Sequence, residues 1–108
     1  MKKKELIEAI QARIDERELE PSFDMEMIED ICFELEQSGV LKDFEIKQRS
    51  SADGTDGWLQ VEYWSKKLRH SVIVDYDFLD TAETAEEIAD ALLQTEKEVN
   101  EVKEILGE

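Results

Sequence analysis

The spacing of the apolar residues changes twice along this chain, and no other feature limits its fold as strongly. Apolar residues recur every three or four positions over 4–19 and again up to residue 38. They alternate with polar residues between 43 and 78, and helical spacing returns after residue 84. A helical period predicts amphipathic helices, and a period of two predicts half-buried strands. The predicted fold class is therefore α+β, with an N-terminal αα-hairpin, a three-stranded antiparallel β-meander and a long C-terminal helix packed on the sheet.

The first two predicted helices are separated by Pro21, because the residue before a proline is disfavoured in helical conformation. Ser22 or Asp24 is a suitable N-cap for the second helix, which we expect to run to residue 38. Gly39 supplies a left-handed stop. The apolar face of the second helix consists of Ile28, Ile31, Cys32 and Leu35.

The three predicted strands cover 43–50, 58–65 and 69–78, and short turns favour an antiparallel meander. In the last strand, alternation places Val72, Val74, Tyr76 and Phe78 on one face. After it, Thr84 and Glu87 fit a capping box for the last helix. The seam of that helix predicts either packing on the sheet or pairing of its C-terminal half with another subunit; its members are Ile88, Leu92, Thr95, Val99, Val102 and Leu106.

Length and composition predict a single small acidic domain over residues 1–108. Leu, Ile, Val and Phe account for 29 of the 108 residues, above the range typical of disordered chains. No stretch approaches the length of a membrane span, and Glu5 and Glu8 interrupt any signal-peptide core. We therefore expect a cytoplasmic protein with no membrane association. A single cysteine excludes an internal disulfide and a cysteine-based zinc site, and the sequence predicts no cofactor.

The acidic residues are concentrated in two blocks. The chain carries 29 acidic and 13 basic side chains, for a net charge of −16. Residues 20–36 hold seven acids and no base, residues 40–74 carry a net +1, and residues 75–108 carry a net −10. This balance argues against direct binding to nucleic acid or anionic lipid, because phosphate contacts require Lys and Arg. It favours a basic protein partner instead.

Several possible catalytic or metal-binding residues have weak sequence signals. Asp75, Asp77 and Asp80 could share a hard cation if the first two point the same way from a strand, but the alternation favours a solvated strand face instead. Residues 53–57 lack the full EF-hand pattern and predict a hairpin loop. His70 is expected to be a partly buried structural residue, and Cys32 a small buried hydrophobe.

Two surfaces remain as candidate binding sites. Trp58, Trp64 and Ile73 fall on the outer face of the predicted sheet, where they form a binding patch unless a helix covers them. Rows of carboxylates lie on the second and last helices, at a spacing that approaches that of DNA phosphates. The acidic candidates are Glu26, Glu29, Asp30 and Glu34 on the second helix and Glu86, Glu87 and Asp90 on the last.

The leading hypothesis is a non-enzymatic interaction protein that binds a basic surface, as a DNA mimic or immunity-type inhibitor of a nuclease or nucleic-acid-binding protein. One alternative is a self-associating accessory domain whose acidity serves solubility, with a homodimer through the C-terminal helix or the outer sheet face. A third is a carboxylate-metal enzyme built on Asp75, Asp77 and Asp80.

Overall fold

The order of helices and strands follows the changes of period in the sequence. The computed structural model describes residues 2–17 and 24–108. Its elements are α1 (Lys3–Arg17), α2 (Met25–Gln37), β1 (Glu45–Ser50), β2 (Gly57–Ser65), β3 (His70–Asp75) and α3 (Ala85–Leu106). The strands form an antiparallel sheet in the order β1-β2-β3, so the predicted α+β fold is confirmed.

One face of the sheet and the apolar faces of the helices enclose the core. On β2, Leu59, Val61 and Tyr63 are at most 2% exposed, and they belong to the same cluster as the buried residues of α1, α2 and α3. The predicted apolar face of α2, including Cys32, is fully buried. α1 packs chiefly against α3, while α2 lies against β1.

The first two helices pack against each other and run in opposite directions. Arg13 bonds Ser38 near the end of α2, and Arg17, one turn further along α1, bonds Glu34, one turn further back on α2. This pattern is that of an antiparallel hairpin. The Asp24 carboxylate caps α2 by accepting from the Met27 amide at 3.0 Å. The predicted stop at Pro21 and the alternative cap Ser22 lie outside the described residues.

A β-bulge in β3 changes which side chains face the core. Val61 pairs with Asp75 and Glu62 with Ile73, so Val74 is an extra residue. The extra residue reverses the alternation, and Tyr76 is 61% exposed, whereas the sequence predicted it on the core face. The strand also ends at Asp75 rather than at residue 78. The prediction for His70 was wrong too, because it lies at the exposed end of the strand.

The last helix begins and ends with side-chain and glycine caps. Thr84 accepts from the Glu87 amide at 3.2 Å, as predicted, but the Glu87 carboxylate accepts from the Glu83 amide rather than from that of Thr84. Gly107 ends the helix in the left-handed conformation, with φ of +78°. The seam residues Ile88, Leu92 and Val99 are fully buried in the protein's own core. Pairing of α3 with another subunit would therefore have to use a different face.

Within the described ranges 2–17 and 24–108, every helix is too short or too polar to cross a lipid bilayer.

Candidate interaction surfaces

The exposed face of α2 combines two carboxylates with an aromatic ring. Glu26, Asp30 and Phe33 are spaced by four and three residues, so they lie in one stripe along the helix. Phe33 is 55% exposed, and neither carboxylate has a hydrogen-bond or ion-pair partner among the described residues. We call these three residues the α2 stripe. Glu26 and Asp30 are the predicted partner-binding acids of α2 that folding leaves uncompensated.

Two other carboxylates of α2 accept hydrogen bonds from the sheet. Glu36 Oε1 accepts from the Ile46 amide at 3.0 Å, and the Glu29 carboxylate accepts from the Gln48 amide. Both amides belong to β1, an edge strand, and point away from β2. Their satisfaction blunts an edge that would otherwise be open to pairing with another chain. Glu29, a predicted partner-binding residue, is therefore engaged within the fold.

Glu36 has the most perturbed carboxyl group in this region. Partial burial raises its pKa to about 7, and the neighbouring carboxylates Glu45 and Glu29 act in the same direction. The Ile46 amide and Lys47 oppose them, because both stabilise the ionised form. The group that closes the edge of β1 therefore titrates near neutral pH.

The remaining predicted acid of α2 is paired with α1. Glu34 Oε1 lies 2.6 Å from Arg17 Nη2, and its other oxygen lies 3.7 Å from Arg13 Nε. These arginines neutralise Glu34 and connect the two helices. Of the four acids predicted on α2, only Glu26 and Asp30 remain uncompensated.

The predicted acids at the start of α3 also have partners. Lys3 Nζ lies 3.0 Å from a carboxylate oxygen of Glu86 and 3.0 Å from one of Asp90. Both ion pairs are exposed, so each contributes little to stability. Glu87 accepts from the Glu83 amide. The α3 acids are consequently a weaker candidate for partner binding than the α2 stripe.

A polar network lies across the outer face of the sheet. Trp58 Nε1 donates to Gln60 Oε1 at 3.0 Å, and Gln60 Nε2 donates to Glu62 Oε2 at 2.6 Å. Arg49 Nη2 reaches the same Glu62 oxygen at 3.1 Å. Gln60 and Glu62 are only 6% and 5% exposed, although they point away from the core. Half-buried Trp58 is thus part of a satisfied structural network.

The predicted outer-face patch separates into two parts. Trp58 and Trp64 are six residues apart on β2, which corresponds to about 20 Å along a strand. Trp64 is 64% exposed and pairs in register with Ser71, next to Ile73, which is 41% exposed. This end of the outer face is open and borders the edge strand β3. Trp64 and Ile73 form one apolar surface, and Trp58 does not belong to it.

The predicted metal ligands Asp75 and Asp77 do not point the same way from one strand, as sharing a cation would require. β3 ends at Asp75, and the Asp77 amide donates to Asp75 Oδ1 at 2.9 Å, which forms a turn. In the loop before β2, Asp53 Oδ1 accepts from Ser51 and twice from Thr55, which lowers the Asp53 pKa to about 2. Across residues 2–17 and 24–108, no three acidic, His or Cys side chains form a group suited to a metal ion.

A carboxylate from the chain's end fills a niche beside β2. Glu108 accepts from Tyr63 Oη at 2.8 Å, from Ser65 Oγ at 2.6 Å and from the Lys67 amide at 3.1 Å. The Ser65 hydroxyl contributes most to lowering the Glu108 pKa, whereas burial raises the Tyr63 pKa to about 12. Elsewhere, burial raises the pKa of the Cys32 thiol, which opposes formation of a thiolate.

Phe33 was not among the candidate binding residues predicted from the sequence. It falls outside the apolar stripe defined by Ile28, Ile31 and Leu35, and that displacement was a signal for exposure. Glu36 was also missed, because its partner Ile46 lies ten residues away and on another element.

Comparison of the chain with protein-family models, with curated proteins and with solved structures gives no match.

Proposed function

We propose that this protein is a non-enzymatic binding protein whose α2 stripe docks on a basic surface of a protein partner. The observation that carries the proposal is the exposure of Phe33 one turn beyond the uncompensated carboxylates of Glu26 and Asp30, on a helix that lacks any basic residue. The other predicted acids of α2 are used by the fold, whereas Glu26 and Asp30 are not. Their charges are therefore available to a partner.

The stripe offers the two components that protein interfaces use. Exposed carboxylates attract a basic partner over a distance and increase the rate of association. An aromatic side chain at the centre of a contact contributes much of the binding energy once it is desolvated. Phe33 contributes less to folding than a core residue does, since more than half of its surface remains in water.

The class of partner that best fits this surface is a protein with a basic cleft for nucleic acid. Two carboxylates one helical turn apart lie about 6 Å from each other, close to the spacing of phosphates along one DNA strand. A protein that occupies such a cleft excludes nucleic acid from it and so inhibits the nuclease or DNA-binding protein. This proposal keeps the DNA-mimic or immunity-type hypothesis and restricts the binding surface to α2.

The test is capture from a lysate of the source cells with four immobilised proteins. These are the wild type, Phe33→Ala, E26Q/D30N and the matched control E8Q/E16Q, which removes the same charge from exposed positions on α1. We expect one basic protein to be retained by the wild type and the control, and lost from both stripe variants. Retention by E26Q/D30N and F33A at the wild-type level would contradict the proposal.

Added duplex DNA distinguishes the two forms of inhibition. A partner that duplex DNA displaces uses its nucleic-acid cleft to bind the stripe, as expected for a DNA mimic. A partner that stays bound in the presence of DNA is contacted outside that cleft, as in an immunity protein that blocks its target from a neighbouring surface.

A further inference from the structure

The two edges of the sheet are treated differently by the fold. On β1, the outward amides of Ile46 and Gln48 are bonded by the α2 carboxylates Glu36 and Glu29. β3 forms the other edge. Natural sheets protect edges with charges, prolines or covering segments. Residues 71–74 of β3 contain no charged residue and no proline.

The bonding pattern identifies which groups of β3 face outward. In an antiparallel pair, alternate residues bond across the ladder and the others point away. The backbone amides of Ile46 and Gln48 point away from β2. The backbone groups of Lys47, which lies between them, therefore point toward β2, where Lys47 pairs with Gln60. Alternation along β2 then directs Tyr63 toward β3, where it pairs with Val72.

The amides and carbonyls of Ser71 and Ile73 therefore point outward from β3. Neither amide has a partner among the described residues. The Ser71 carbonyl accepts from the His70 ring at 2.9 Å and retains a second lone pair.

We propose that β3 pairs with β3 of a second copy of this chain, antiparallel and centred on Val72, to give a continuous six-stranded sheet. In this register Ser71 of each copy lies opposite Ile73 of the other. All four outward groups at these positions then form ladder hydrogen bonds. The pairing also covers the exposed Ile73 of each copy. Ile73 of one copy lies opposite Ser71 of the other, and Ser71 has Trp64 of its own copy as its register partner on β2, so Ile73 and Trp64 flank that serine on one face.

Charge complementarity supports a second copy as the occupant. The turn before β3 carries Lys66, Lys67 and Arg69, whereas β3 ends at Asp75 and the segment after it carries Asp77 and Asp80. Antiparallel pairing places each basic turn beside the acidic segment of the other copy. The joined segment, residues 66–80, carries three basic and three acidic side chains and is therefore neutral overall. The self-pairing thus avoids the strongly acidic helices.

The test begins with sedimentation equilibrium of the full chain, for which we expect a dimer. Ile73→Pro removes an outward amide without touching the β2 ladder, as edge prolines do, and should give a monomer. Ile73→Val, which keeps the amide, and E26Q/D30N, which alters a different surface, should both remain dimeric. A monomeric wild type, or an I73P variant as dimeric as the wild type, would overturn the proposal.

A charge exchange tests the antiparallel register and does not depend on proline. The variant K66E/R69D has acidic groups at both ends of β3, and the variant D77K/D80K has basic groups at both ends. Each variant alone should be monomeric through repulsion, and an equimolar mixture should form a heterodimer. Homodimers of both variants at wild-type strength, or a mixture that stays monomeric, would overturn the register. The wild type's failure to dimerise would leave the α2 proposal intact.

Discussion

The raised pKa of Glu36 makes the stability of the folded protein depend on pH. Its folded pKa of about 7 lies above the ordinary value of 4.5. Between these values the folded chain binds more protons than the unfolded chain, so this group's contribution to stability falls as pH rises through that window. The cost arises because ionised Glu36 is partly desolvated while it accepts from Ile46.

We predict that Glu36→Gln removes this loss, because the amide oxygen can still accept from Ile46 and carries no charge. The variant should gain about 1–2 kcal/mol on the wild type between pH 5 and pH 8, allowing for the side chain's partial exposure. Urea unfolding at a series of pH values measures the difference. Glu26→Gln is the control, since this exposed acid lies on the same helix. Parallel curves for wild type and E36Q would contradict the assignment.

Phe33 shows what the sequence can and cannot reveal about single residues. Its position off the apolar stripe of α2 was visible, but exposure alone does not distinguish a binding residue from an isolated surface hydrophobe. The distinction came from Glu29, Glu34 and Glu36, whose partners lie on other elements. Their engagement isolates Glu26 and Asp30 as the acids left for a partner.

At the scale of elements, local sequence signals predicted most of the fold. The cap at Thr84, the apolar face of α2 and the alternation in β2 depend on neighbours within one turn or one strand, so the sequence displays them. The bulge at Val74 is different, because it is set by pairing with Val61 and Glu62 on another strand. Alternation alone therefore placed Tyr76 on the wrong face.

The contact between the end of α3 and β2 is a second element-level feature. Glu108 holds the Tyr63 and Ser65 hydroxyls, and Lys67 Nζ donates to the Leu106 carbonyl at 2.8 Å. Together these bonds join the last turn of α3 to the hairpin between β2 and β3. They also satisfy two hydroxyl groups that belong to nearly buried residues.

We predict that Glu108→Ala lowers the urea midpoint of unfolding, because the buried Ser65 and Tyr63 hydroxyls lose their acceptor. Amide hydrogen exchange should also accelerate in the last turn of α3. Glu104→Ala, at an exposed position on that turn, is the matched control and should have little effect. Equal unfolding midpoints for the two variants would show that the niche contributes nothing to stability.

At the scale of the whole molecule, the net charge of −16 is distributed between structural and exposed roles. Part of it closes the edge of β1, pairs with arginines of α1 or satisfies hydroxyls beside β2. The near-neutral sheet has the open β3 edge, and α2 has an acidic stripe that ends in an exposed aromatic side chain. We therefore propose two distinct binding surfaces, the α2 stripe for a basic partner and the β3 edge for a second copy.

The most direct test of the central claim is the affinity of the captured partner as a function of salt, measured by titration calorimetry. Loss of Phe33 to Ala should weaken binding roughly tenfold, as for an aromatic interface residue. E26Q/D30N should weaken binding at low salt and flatten its salt dependence, because two interfacial charges are gone. The control E8Q/E16Q should stay close to the wild type. Equal affinities and equal salt slopes for E26Q/D30N, F33A and the wild type would contradict the claim that α2 is the binding surface.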